Sequence, residues 1–203
     1  MNTVPHLIPR VAIRGICGGL ILMALFTMVW AGIAQGGLMG SDDRVVLIAF
    51  ALLALLFVIN AVRFFIASKQ FPVFTSDEDK AEGKRTSKAF GLIFGIEGAA
   101  IPIACGILAA IGHTEFILPA IALIVGLHFY PMAKIFGRKL DYFTGTWATL
   151  VAITGIIITM NHSETQQFVM GLLGIGMALT TSTYGVFMIF SGNNMAKKNA
   201  AAQ

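Results

Sequence analysis

Ala120–Asp141 reads AIALIVGLHFYPMAKIFGRKLD. It opens as an unbroken apolar run, places a histidine (His128) and a proline (Pro131) inside that run, and closes on Lys134, Arg138 and Lys139. A water-soluble domain seldom orders its residues this way. A membrane-spanning helix leaving the bilayer on the cytoplasmic side does, because basic residues collect there. The natural companion of His128 is Glu97, the only acidic residue inside any other apolar run.

The rest of the chain repeats the pattern. Of 203 residues, 57% are apolar and 12% are charged, about half the charge of an ordinary soluble domain. The charges fall in clusters separated by six long apolar runs, at about Ile13–Ala34, Val45–Ala67, Ala89–Ile111, Phe116–Phe136, Phe143–Met160 and Phe168–Phe190. Each is near the roughly 20 residues that cross the hydrocarbon layer. Within lipid every backbone N–H and C=O needs an internal partner, so spans are helices or closed barrels. Barrel strands would be shorter and alternating. The reading is one all-α transmembrane domain, a polytopic bundle of six helices.

The first run could be a signal peptide, and Ala31-Gly-Ile-Ala34 faintly resembles a cleavage site. The run is longer than a signal peptide's apolar core, so a retained first span is expected. Thirteen of the fourteen Lys and Arg residues then fall on one side, with only Arg44 opposite. This predicts both termini in the cytoplasm of a multi-pass protein of the plasma (inner) membrane. The net charge of +4 therefore reports topology and not affinity for nucleic acid. The tail, Asn193–Gln203, reads as frayed.

Ser68–Lys88 is the one sizeable polar connection. It reads as a solvated cytoplasmic loop or, alternatively, as a docking site for a partner. Phe71, Val73 and Phe74 around Pro72 are placed at the membrane interface. Trp30 and Tyr142 are assigned to interfacial belts, and Trp147 to packing.

The exits of the even spans look alike: Val62-Arg-Phe-Phe-Ile, Ala133-Lys-Ile-Phe-Gly and Phe187-Met-Ile-Phe-Ser. Tyr130–Phe136 aligns without a gap to Tyr184–Phe190. These matches point to three helical hairpins related by an axis along the membrane normal, a geometry that parallel repeats use.

An ionisable group in mid-membrane is a functional candidate, and its partner should be named. Glu97 and His128 lie at similar depth on consecutive antiparallel spans. Their pairing serves either a proton relay or a structural bond between helices. Pro102 and Pro131 each free a carbonyl four residues earlier, at Gly98 and Leu127, and are expected to kink the helices beside this pair. Asn60, Thr180, Thr181, Ser182, Thr183 and Tyr184 either line a polar passage or bond back to their own helices. The glycines, including Gly91 and Gly95 of a GxxxG, read as helix packing.

There is no metal-ligand spacing, cofactor fingerprint, HExxH or nucleophile beside a histidine, so no catalytic residue, metal or cofactor is assigned. The two cysteines, Cys17 and Cys105, read as packing residues. The expected surroundings are the lipid bilayer and either a homo-oligomer or another membrane partner. Gly126-Leu-His-Phe-Tyr-Pro-Met-Ala-Lys-Ile-Phe136, with Glu97-Gly98 upstream, resembles a motif in uncharacterised six-span bacterial inner-membrane proteins. That resemblance covers about a third of the chain. It implies location and topology but no substrate. Two functions follow as expectations: a proton-linked carrier or channel for a small solute or ion, and a non-catalytic accessory subunit that docks through residues 68–88.

Overall fold

The computed structural model describes residues 8–39, 44–73 and 76–201. Six helices account for nearly all of them: α1 (Arg10–Gly37), α2 (Val45–Ala67), α3 (Asp77–Ala110), α4 (Ile117–Phe136), α5 (Lys139–Asn161) and α6 (Gln166–Ala201). All six are long and apolar enough to cross a membrane. The chain is an all-α bundle built as a multi-pass membrane protein.

The bundle is organised around α6. α6 packs most extensively on α1 and also touches α2, α4 and α5. Small residues set these distances, since interfaces within lipid depend on close van der Waals approach. Gly174 lies against the backbone of Ala34, and Gly37 against Gly171. On the other sides of α6, Phe57 and Phe64 of α2 fill the space over Gly185 and Gly192. Val151 of α5 covers Gly176, and Leu173 fills the space over Gly155 of α5. α1 buries one continuous stripe, Ile13, Ile16, Cys17, Leu20, Met23, Ala24, Thr27, Trp30, Ala31 and Ala34. Its spacing of three and four residues is that of a single helical face. Within the α1–α6 contact, the hydroxyls of Thr27 and Thr181 form a buried hydrogen bond of 2.8 Å.

α3 is the outlying helix. It packs substantially on α4 alone, and none of its residues is buried. Consecutive helices do form the three expected hairpins. They do not close into a threefold ring, because α6 takes the centre and α3 the rim. The aligned tyrosines show the same asymmetry. Tyr184 is buried, whereas the hydroxyl of Tyr130 makes an exposed bond to Thr146.

Several boundaries move. The Ser68–Lys88 connection is mostly helix, because α3 begins at Asp77. The Ser76 hydroxyl accepts from the Asp79 amide at 3.0 Å, and Asp77, Glu78 and Asp79 occupy the first turn. A hydroxyl cap and early acidic residues both favour a helix start. The 34 residues of α3 extend roughly 51 Å at 1.5 Å per residue, well beyond the hydrocarbon layer. The tail is also helical as far as Ala201, and the Asn199 side chain donates to the Gln70 carbonyl.

The short remaining linker is tied to α1. The Arg10 amide donates to Pro72 O at 2.7 Å. Its guanidinium donates to Phe71 O and Lys69 O, both at 3.1 Å. Phe71 is buried in the core instead of lying at the interface, and Val73 is exposed. Phe74 lies outside the described residues. The tryptophans differ in burial. Trp30 is core, while Trp147 is partly exposed and donates to Gly176 O at 3.1 Å.

Candidate functional site

α3 and α4 are joined by a tight turn in which Gly112 takes a positive φ of 81°, followed by a short 3-10 turn over Thr114–Phe116. The reversal makes the two helices antiparallel neighbours and sets Glu97 opposite His128. Glu97 Oε2 and His128 Nδ1 are 3.6 Å apart, with both side chains 11% exposed. That separation exceeds a formed hydrogen bond by roughly half an ångström. Neither atom has a hydrogen-bond partner among the described residues. The His128 ring stacks on Phe129 with centroids 4.3 Å apart and tilts against Phe94 at 5.8 Å. The pair is thus a mutually facing acid and base in aromatic surroundings.

Pro102 and Pro131 sit inside α3 and α4, and both helices run on through them. Both prolines, together with Gly98 and Leu127, are on the exposed side of their helices. Among the grooves that the described residues form on the surface are the following two. One, of about 480 Å³, is lined by Arg85, Lys88, Ala89 and Leu92. The other, of about 220 Å³, lies between α5 and α6 and is lined by Phe143, Thr144, Trp147, Leu179, Thr180 and Thr183. Neither is lined by Glu97 or His128.

The polar residues of α6 point to different sides. Thr180 donates to Gly176 O at 3.0 Å, and Thr181 bonds Thr27 on α1. Ser182 is buried with no hydrogen-bond partner among the described residues, and Thr183 is exposed. Five consecutive helical residues cannot share a face, because each step rotates about 100°. Asn60 donates to its own helix at Leu56 O, 2.9 Å away. These residues therefore do not line one passage.

Tyr184 belongs to a cluster that the sequence reading missed. Its hydroxyl accepts a hydrogen bond from Arg138 Nη1 at 3.1 Å and lies beside Asp141. Asp141 is 0% exposed. In the sequence it is the last residue of a basic turn and looks like a solvated counter-charge. In the fold, α6 brings Tyr184 against it. The one available signal was its spacing of three residues from Arg138.

No group of three or more His, Cys, Asp or Glu side chains is placed to hold a metal among the described residues. No protein-family profile, curated protein or solved structure matches this chain.

Proposed function

We propose that this multi-pass membrane protein is a small carrier or channel for a solute or ion, proton-linked through Glu97 and His128. The observation that supports the reading is the 3.6 Å apposition of the two side chains at the main contact of α3 with the bundle, the one with α4. A helix with no buried residue is the element that moves against its neighbours at least cost, and rocking of one part against another is how many transporters alternate access. A proton exchanged between Glu97 and His128 would change the attraction across that moving contact. In this proposal both termini lie in the cytoplasm, which the positive-inside rule supports, and the membrane is a bacterial inner membrane, which the motif resemblance supports.

A second reading is favoured by a different observation, namely that neither of the two grooves described above is lined by Glu97 or His128. In that reading the protein is an accessory subunit. The charged helical extension Asp77–Lys88 and the linker before it dock a partner, and Glu97–His128 only joins two helices.

Proton entry into phosphatidylcholine vesicles containing the purified protein separates the two readings. An internal pH dye and an imposed pH gradient supply the readout. The carrier reading expects dye acidification above that of empty vesicles, and its loss in folded Glu97→Gln and His128→Leu. Equal flux in all folded variants would leave the accessory reading.

A further inference from the structure

Asp141 is a second acid held inside the bundle. It lies in the first turn of α5, is fully buried, and faces the hydroxyl of Tyr184. Two groups act on it. Arg138, from the turn before α5, acts by charge, and Tyr184 of α6 acts through its hydroxyl. No ion pair closes Arg138 onto Asp141 within 4.0 Å among the described residues. The guanidinium donates to the tyrosine hydroxyl and rests over the rings of Phe136 and Phe187, at 4.5 Å and 5.8 Å. The hydroxyl of Tyr184 is thus shared by a fixed cation and a buried acid.

A carboxylate in a closed site carries a large desolvation cost, which protonation removes. The nearby cation offsets that cost in part. Burial and the Arg138 cation thus act on the acid in opposite senses.

The cluster also adjoins the first pair. Phe129 is buried. Its ring stacks on His128 at 4.3 Å and lies 5.7 Å from the ring of Tyr184. One aromatic side chain separates the two ionisable sites, and on this path His128 is the next titratable group beyond it.

We propose that Asp141, with Tyr184 and Arg138, is a second proton-binding site, and that Phe129 is the dry partition between it and Glu97–His128. The step is an addition: a proton from water joins one carboxylate oxygen, Arg138 stays charged, and the cluster gains one positive charge. Tyr184 orients the acid through its hydroxyl without changing its own charge. The site rests on its own geometry. It relies on the proton-linked reading only for the use made of the proton.

Infrared difference spectroscopy during a pH step, on protein in phosphatidylcholine vesicles, reads the C=O stretch of buried protonated carboxyls. In Glu97→Gln such a band should remain. It should vanish in Glu97→Gln/Asp141→Asn and should shift its titration midpoint in Glu97→Gln/Tyr184→Phe. Identical bands in Glu97→Gln and the Asp141→Asn double variant would overturn the site. If Asp141→Asn does not fold, an unmoved midpoint in the Tyr184→Phe variant overturns it. Phe129→Ala should raise the passive proton leak of the vesicles several-fold, and an unchanged leak overturns the partition. A silent flux assay alongside an intact Asp141 band would reject the carrier reading and leave this site standing.

Discussion

Thr27 and Thr181 join α1 to α6 through a buried hydroxyl–hydroxyl bond of 2.8 Å. It is the polar link at the centre of the most extensive helix contact in the bundle. Thr181 also bonds back to Ala178 O at 3.1 Å, so its hydroxyl retains a partner if Thr27 is removed. Thr27→Val should therefore destabilise the protein by about 0.6–2 kcal/mol, the range for polar links between membrane helices. A double-mutant cycle with Thr181→Val, read by chemical unfolding in detergent micelles, should show coupling of similar size. Additive losses would mean that the bond contributes nothing.

Glycines that look alike in sequence should respond very differently to substitution. A methyl group at Gly174 would strike the backbone of Ala34, whereas one at Gly91 or Gly95 meets nothing. Backbone cannot give way as a flexible side chain can. Gly174→Ala should thus force α1 from α6 and cost about 1–3 kcal/mol, as overpacking does. Gly95→Ala should stay within about 0.5 kcal/mol. Melting temperatures in detergent would test the contrast, and equal losses at the two sites would contradict this packing.

Single substitutions at Glu97 or His128 leave the other group without its partner, while the double substitution leaves neither. Glu97→Gln and His128→Leu should each destabilise, and the double variant should lose less than their sum. The coupling should be about 0.5–3 kcal/mol, as for side chains in direct contact. Strict additivity in reversible unfolding would show that the 3.6 Å apposition is not an interaction.

The orientation proposal is open to thiol labelling in intact cells, starting from a variant without Cys17 and Cys105. Cysteines at Thr114 and Ser163, in the turns far from the termini, should react with an impermeant reagent added outside. A cysteine at Val73, exposed in the linker beside Arg10, should be protected. The reverse pattern would invert the topology.

The Arg10 clasp should hold the α2–α3 linker in place. Arg10→Ala removes the two guanidinium bonds to Phe71 and Lys69 carbonyls. It should speed amide exchange in residues 69–73 while leaving α6 unchanged. Exchange measured by mass spectrometry that rises equally across the bundle would point to general destabilisation instead.

The six spans and their helical character were legible in the residues, because the bilayer imposes a length and a backbone rule that each run must meet alone. The facing of Glu97 and His128 was legible for a related reason: a short turn between two helices leaves little freedom in which depths meet. Helix ends were less visible. The Ser76 cap and the three acids after it were present in the sequence, but polar composition made them look like a loop.

What tertiary structure alone decided is which surface each helix turns inward. Gly91 and Gly174 are equally small, yet one faces outward and the other sets the distance between α1 and α6. Trp30 is interior and Trp147 is at the surface, though both sit in apolar runs. Asp141, which closes a basic turn in the sequence, is buried beside Tyr184 of α6. In a soluble protein, polarity marks the outer face of a helix. In a chain whose helices are apolar on every side, lipid and neighbouring helices accept the same residues, so the choice of face rests on shape complementarity between segments far apart in sequence.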